Sequence, residues 1–156
     1  MDRRQFVASV LGASGLALAS GKLAWSAPLG PKLKWQTDLK VARKLALADH
    51  KLLMVVFTAQ WCAFCHKLIN STISHRDLAP FVDRHFVPVM IDFDENKRVA
   101  EILEVDSLPN TVILSPQADL LVQRKGFASV ASFKETLQAA IDKQAEIVQV
   151  RAAAGR

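Results

Sequence analysis

Both cysteines of this chain lie in the stretch Trp61-Cys62-Ala63-Phe64-Cys65-His66, which closely follows the apolar run Leu52-Leu53-Met54-Val55-Val56-Phe57. So short and unbroken an apolar run predicts a buried strand. A helix that begins at Cys62 would bring the Cys62 sulfur to unpaired backbone N–H groups at the positive end of the helix dipole, which stabilises a thiolate. Cys65 follows one helical turn later, so the pair predicts a reversible disulfide and thiol–disulfide exchange.

The first residues predict export from the cytoplasm. Arg3 and Arg4 precede a mildly apolar segment that is diluted by glycine and serine and is followed by Lys22. This pattern resembles a twin-arginine export signal. A permanent anchor needs about 20 strongly apolar residues, so we expect a signal peptide over residues 1–26, cleaved after Ser26, and a mature periplasmic protein without a membrane span.

Composition limits what the rest of the chain can do. The 156 residues carry a formal net charge of +5, and residues 1–26 contain three basic side chains and one acidic side chain, which leaves +3 for residues 27–156. No cluster of lysine and arginine is interleaved with aromatic residues, so nucleic-acid binding is not expected. Residues 27–156 suit one domain with one core, and we expect a monomer. A disulfide that closes so short a loop adds little stability, so a purely structural role for the cysteines is disfavoured.

Hydrophobic periodicity and turn residues predict alternating helices and strands. The predicted elements are a helix capped by Thr37 and ending near Asp49, a strand over 52–57, a helix from Cys62, a short helix capped by Ser74, a strand over 86–92, a helix over 97–103, a hairpin of 111–114 with 120–123, and a last helix with a capping box at Ser132. Residues 152–156 are predicted to be disordered. A crossover connection makes the first two strands parallel, so the fold class is α/β with a central mixed sheet flanked by helices.

This order of elements, with Trp61-Cys62-x-x-Cys65 after a central strand and Leu108-Pro109 before a hairpin strand, resembles the thioredoxin superfamily over roughly residues 35–141. Within it, the chain looks most similar to small secreted thioredoxin-like domains and to the C-terminal domain of the membrane-bound thiol:disulfide interchange protein. The resemblance implies that Pro109 is cis and lies beside the two sulfurs. It also implies protein disulfides as substrates and no cofactor.

Exchange chemistry assigns roles to these residues. The Cys62 thiolate attacks a partner disulfide, and Cys65 resolves the mixed disulfide by attacking the Cys62 sulfur. Leu108 and Pro109 would let an extended substrate segment pair beside them. Trp61 would shield one side of the site, or alternatively pack in the core.

Three features depart from the thioredoxin pattern. Ala63-Phe64 replaces Gly-Pro between the cysteines, so the redox potential of thioredoxin cannot be transferred to this chain. Val56 stands where thioredoxin has a buried aspartate, six residues before the first cysteine. Asn110 replaces the threonine after the cis-proline.

The lengths of the connecting segments bear on the direction of electron flow. Periplasmic oxidases of this fold carry a helical insertion for which the segment between Asp92 and Pro109 is too short. Disulfide isomerases add an N-terminal dimerisation domain, and residues 27–35 are too few for one. Residues 70–86 leave no room for the insertion of cytochrome-maturation thioredoxins. A minimal reductase remains, which would receive electrons from a membrane thiol donor.

Three alternatives remain open at this stage. Cys62-Ala63-Phe64-Cys65-His66 also matches the attachment motif of c-type haem, with His66 as axial ligand. A metal chaperone could use both cysteines and a histidine, although that set is one ligand short of a closed tetrahedral zinc site. A redox-inactive binding module would keep the fold without using the sulfurs. We expect neither haem nor metal.

Overall fold

A computed structural model describes residues 32–155. The predicted signal peptide over residues 1–26 and its cleavage after Ser26 lie outside the described residues. The elements in chain order are α1 (Leu39–Asp49), β1 (Leu52–Thr58), α2 (Ala63–Lys67), a π-helical segment (Leu68–Ile73), α3 (Ala79–His85), β2 (Phe86–Asp92), α4 (Lys97–Ile102), β3 (Asn110–Leu114), β4 (Leu120–Lys125) and α5 (Val130–Ala154).

The strands form one sheet in the order β2-β1-β3-β4. β1 pairs in parallel with β2 on one side and antiparallel with β3 on the other. β3 and β4 form the antiparallel hairpin. The prediction of a mixed central sheet flanked by helices is therefore confirmed.

β1 lies at the centre of the molecule because both of its faces are apolar. Leu52, Met54 and Val56 point into a core shared with the π-helical segment, α3 and α5. The alternate residues Leu53, Val55 and Phe57 point into a second core shared with α1 and α4. Side chains alternate between the two faces of a strand, so the unbroken apolar run supplies both cores at once.

Pro88 is tolerated because β2 is the outer strand of the sheet. Its carbonyl oxygen accepts the Gln36 N–H at 2.9 Å, and the N–H of Met90 donates to the Gln36 carbonyl at 2.8 Å. This short bridge does not need an N–H from Pro88, and an edge strand can carry proline where a central strand cannot. The predicted strand over 86–92 is thus confirmed in spite of its proline.

The cap of α1 differs from the prediction. Asp38, not Thr37, is the N-cap residue, and its carboxylate accepts the N–H groups of Lys40 at 2.7 Å and Val41 at 3.0 Å. α1 packs on the sheet through Ala42 and Ala46, whereas the larger Leu45 is exposed. Small side chains at the contact let the helix lie close to the strands.

The Asp38 cap should contribute stability that depends on pH. Hydrogen bonds from the backbone N–H groups of Val41 and Lys40 hold the pKa of Asp38 below its ordinary value of 3.8. A carboxylate with a lowered pKa stabilises the fold at pH above about 4 and loses that effect as the pH falls through the lowered pKa. We expect Asp38→Ala to lower the midpoint temperature of unfolding at pH 7, and by much less at strongly acidic pH. Thr37→Ala is the control; a larger effect from it would contradict the assignment of the cap.

Two other predicted caps are wrong. Ser74 ends the π-helical segment, and the following helix begins at Ala79. α5 is capped by Ser129, whose hydroxyl accepts the N–H of Ser132 at 3.3 Å. The Ser132 hydroxyl instead accepts a hydrogen bond from Arg124 of β4.

The C-terminal helix is longer than the sequence pattern predicts. α5 continues to Ala154, through residues that were predicted to be disordered. Ile147 packs against the core, and the Arg151 guanidinium donates to Asp119 in the hairpin turn at 2.9 Å. These contacts hold the last turns on the domain. Within residues 32–155, no helix combines the length and the apolar character that crossing a membrane requires.

Candidate active site at the start of helix α2

The two cysteines are joined by a disulfide at the beginning of α2. Cys62 is the N-cap residue, and its sulfur accepts the backbone N–H of Cys65 at 3.2 Å. The loop after β1 thus places the Cys62 sulfur at the unpaired N–H groups at the start of α2, as predicted. Cys62 is 6% exposed and Cys65 is 0% exposed. Cys62 remains the accessible member of the pair.

The environment of the disulfide is apolar. Ala59, Cys62 and Cys65 form a small buried cluster against which Leu108 packs. Val56, at the position of the thioredoxin aspartate, is fully buried in the neighbouring apolar core. Residue 56 therefore provides no carboxylate next to Cys65 when Cys65 is deprotonated.

The loop before β3 brings the predicted substrate-binding residues to the disulfide. The Leu108–Pro109 peptide bond is cis. The carbonyl oxygen of Pro109 accepts the N–H of Gly126 at 2.7 Å. Gly126 has φ +80°, a left-handed conformation that side chains disfavour. Leu108, which directly precedes Pro109, packs against the cluster that contains Cys62 and Cys65.

Trp61 lies at the surface, so the core-packing alternative is wrong. Its side chain is 69% exposed, and its indole N–H donates to the Asp94 carboxylate at 2.8 Å. Asp94 follows β2, and its side chain is also 3.7 Å from the Lys97 ammonium. The hydrogen bond holds a large exposed ring beside the first cysteine.

A second exposed aromatic side chain is that of Phe64, the second of the two residues between the cysteines. The ring of Phe64 is 6.5 Å from that of Phe127, and the Lys67 ammonium lies 4.9 Å from the Phe127 ring centre. Both rings are exposed. Trp61 and Phe64 thus place exposed aromatic side chains on the residues that directly precede the two cysteines.

Hydrogen bonds of the half-buried Gln123 side chain hold the loop that carries Pro109. The side-chain NH₂ of Gln123 in β4 lies 3.3 Å from the carbonyl oxygens of Leu103, Glu104 and the Asn110 side chain. Asn110 is fully buried, so its side chain faces Gln123 instead of a docking partner. Gln123 therefore positions the connection between α4 and β3.

Three residues of this site escaped the sequence-based prediction: Asp94, Phe127 and Gln123. Asp94 could have been found, because it follows β2 and the carboxyl ends of parallel neighbours meet at one edge of a sheet. Phe127 directly follows the predicted hairpin and Gly126. No local pattern distinguishes Gln123 from any other polar residue on an edge strand.

The haem and metal alternatives find no support in this geometry. Cys65 is fully buried and bonded to Cys62, so in this structure neither sulfur is a free thiol that could form a thioether. Over residues 32–155, no three His, Cys, Asp or Glu side chains are grouped so that they could hold a metal ion. His66 is exposed on α2.

Comparison with known proteins agrees with this architecture. A family profile described as a thioredoxin-like domain matches residues 39–141. No curated protein sequence matches the chain.

Solved structures with the same fold include three informative neighbours. A DsbH oxidoreductase is 20% identical with a TM-score of 0.64, and the match covers 77% of this chain and 92% of that one. A thioredoxin from Thermus thermophilus is 24% identical with a TM-score of 0.64 and coverages of 72% and 91%. The germline-specific thioredoxin Deadhead from Drosophila melanogaster is 26% identical with a TM-score of 0.54 and coverages of 69% and 97%.

Proposed function

This chain belongs to the thioredoxin-like domain family, and from that premise we propose that it reduces disulfides of partner proteins in the periplasm. The fold and the Cys62–Cys65 disulfide support thiol–disulfide oxidoreductase chemistry in general. The reducing direction, the compartment and a monomeric state are parts of the proposal.

One observation carries the proposal: Cys62 caps a helix start, and its sulfur accepts a backbone N–H at 3.2 Å. A thiolate at this position is stabilised by the same N–H group and by the helix dipole. The adjacent Cys65 sulfur is already within bonding reach. These are the requirements for a nucleophilic thiol and a resolving thiol.

The reaction balances over two exchanges. The Cys62 thiolate attacks one sulfur of the partner disulfide, which forms a mixed disulfide and releases the other partner sulfur as a thiolate. Cys65, after losing its proton, attacks the Cys62 sulfur, which forms the Cys62–Cys65 disulfide and releases the second partner thiolate. The partner gains two electrons, and the domain must regain two from a thiol donor, which we propose to be a membrane protein.

The reduction potential tests the direction of electron flow. The purified chain is equilibrated with glutathione or dithiothreitol buffers of known potential, and its free thiols are then trapped by alkylation. We expect a potential on the reducing side of the range that such proteins span, which runs from about −270 mV for reductants to about −120 mV for strong oxidants. A value near about −120 mV, typical of a strong disulfide oxidant, would contradict the reductase and indicate disulfide formation.

The export route is tested on the precursor. Replacing Arg3 and Arg4 together by lysine should leave unprocessed protein in the cytoplasm, because the twin-arginine pathway reads the arginine pair. Cell fractionation and the mass of the processed chain are the measurements. Normal processing of the double variant would contradict twin-arginine export, while a wild-type chain that keeps its N-terminus would contradict the signal peptide itself.

A further inference from the structure

The segment that carries Pro109 is held by β4 and by the residue that follows it. The Gly126 N–H donates to the Pro109 carbonyl at 2.7 Å. The Lys125 ammonium lies 2.6 Å from the Asp106 carboxylate, but both side chains are exposed, and exposed ion pairs contribute little to stability. The half-buried Gln123 side chain makes the remaining contact from β4.

Backbone carbonyls determine the orientation of the Gln123 side chain. Its NH₂ group lies 3.3 Å from the carbonyl oxygens of Leu103 and Glu104, at the end of α4. A carbonyl oxygen only accepts hydrogen bonds, so the amide nitrogen of Gln123, and not its amide oxygen, must face the two carbonyls. Glu104 has φ +53°, a left-handed conformation that side chains disfavour. Gln123 therefore stabilises a strained connection just before the segment that carries Pro109.

The orientation of Gln123 in turn determines that of Asn110, the residue after Pro109. The same NH₂ group lies 3.3 Å from the side-chain oxygen of Asn110. Turning the Asn110 amide over would bring two NH₂ groups together and remove this hydrogen bond. The side-chain nitrogen of Asn110 is therefore directed away from Gln123. It is buried and makes no hydrogen bond to any group in residues 32–155.

This unpartnered nitrogen does not favour stability. Buried polar groups are normally hydrogen-bonded, and a buried donor without an acceptor costs free energy. Leucine has nearly the shape of asparagine and would occupy the 0% exposed position of Asn110 without that cost. Unfavourable local arrangements are concentrated at functional sites. The hydrogen bond to Gln123 beside Pro109 therefore explains Asn110 better than a contribution to stability does.

Substrate docking is the step that this hydrogen bond can affect. Leu108 packs against the cluster that contains both cysteines. Its N–H and carbonyl groups make no backbone hydrogen bond within the described part of the chain, so an extended segment can pair with them. A displaced Leu108 would misalign a paired protein substrate. A small disulfide needs no such pairing to reach Cys62.

We propose that Gln123 and Asn110 are positioning residues that set the place of Leu108 and Pro109 for the docking of an extended substrate segment. The inference rests on the proposed reduction of protein disulfides and adds to it a determinant of substrate selection. Gln123 and Asn110 act through the docking segment and leave the exchange between the sulfurs unchanged.

A comparison of a protein disulfide with a small disulfide tests this role. Gln123→Met keeps the length of the side chain and removes its hydrogen bonds. We expect the variant to reduce insulin at least about fivefold more slowly than the wild type, since misplaced docking groups lower the rate. It should reduce 5,5′-dithiobis(2-nitrobenzoate), which has no peptide backbone, at the wild-type rate, and its reduction potential should be unchanged.

Gln138→Met is the matched control. Gln138 lies on the exposed face of α5, where its side chain donates to Asp142 at 2.9 Å. The same substitution there should leave both rates unchanged. Equal slowing with the two disulfides in Gln123→Met, or equal slowing of insulin reduction in Gln123→Met and Gln138→Met, would overturn the inference.

Asn110→Leu separates positioning from stability. It should slow the reduction of insulin without lowering the midpoint temperature of unfolding, because it removes an unpartnered donor together with the hydrogen bond. Replacing Asn110 and Gln123 together should slow insulin reduction no more than Gln123→Met does, since both act through one hydrogen bond. A lowered midpoint with unchanged insulin reduction, or independent losses that multiply in the double variant, would contradict the proposed role.

Hydrogen exchange in the oxidised chain separates the inference from the proposed function. The Gly126 N–H reports on the position of Pro109 without any redox step, and the Met90 N–H, which donates to Gln36 at the opposite edge of the sheet, is the reference. Faster exchange at Gly126 alone in Gln123→Met supports the inference, and unchanged exchange overturns it. If the wild type reduces no protein disulfide, the reductase function fails, and the exchange at Gly126 still decides whether Gln123 positions Pro109.

Discussion

Replacing Cys62 by serine is expected to abolish the reduction of protein disulfides, with a loss of more than about a thousandfold in kcat/KM. A serine hydroxyl stays protonated at neutral pH and is a poor nucleophile towards a disulfide, whereas the cysteine can attack as a thiolate. The N–H of Cys65, which now lies 3.2 Å from the Cys62 sulfur, would face an oxygen instead. The measurement is the rate of reduction of a model protein disulfide such as insulin.

Cys65→Ser separates the two sulfur roles. This variant keeps the attacking thiol but cannot resolve the mixed disulfide, so it should trap covalent complexes with substrate proteins that a reductant releases. Cys62→Ser is the matched control and should trap none. Complexes with Cys62→Ser, or faster alkylation of Cys65 than of Cys62 in the reduced wild type, would reverse the assigned roles.

Leu137→Ala is expected to destabilise the domain by about 2–5 kcal/mol. Leu137 is 0% exposed and lies in the core between α5 and the sheet. Truncation removes apolar contacts and leaves a cavity that the surrounding side chains fill only in part. The measurement is the free energy of unfolding from denaturant titration of the oxidised protein.

Leu120→Ala is the matched control for that substitution. The same atoms are removed from a side chain that is 51% exposed at the start of β4. We expect a loss below about 1 kcal/mol, as for surface substitutions in general. Equal losses from the two variants would mean that α5 does not pack on the sheet as described.

Strand positions could be predicted from the sequence much more accurately than helix starts. The strand at Phe86–Asp92 has its predicted bounds, and β1 runs only one residue past its prediction. Burial on both faces imposes a continuous apolar run, which can be read directly. The prediction of helix caps fails because neighbouring side chains compete for the same role. Thr37 and Asp38 are both suitable N-cap residues, and only the backbone geometry decides whether the Asp38 carboxylate or the Thr37 hydroxyl accepts the free N–H groups.

The positions of both sulfurs follow from local sequence, because a strand, a loop and a helix start that are close together in the chain determine where Cys62 and Cys65 lie. The contacts that surround the sulfurs do not follow from local sequence. Asp94 meets Trp61 across 33 residues, and Phe127 meets Phe64 across 63. The Trp61–Asp94 contact arises when parallel pairing brings the ends of β1 and β2 to one edge of the sheet, and the Phe64–Phe127 contact arises when antiparallel pairing places β3 and β4 beside β1. Local sequence propensity does not predict such pairings, since each of these side chains is equally compatible with solvent until the tertiary fold brings its partner to it.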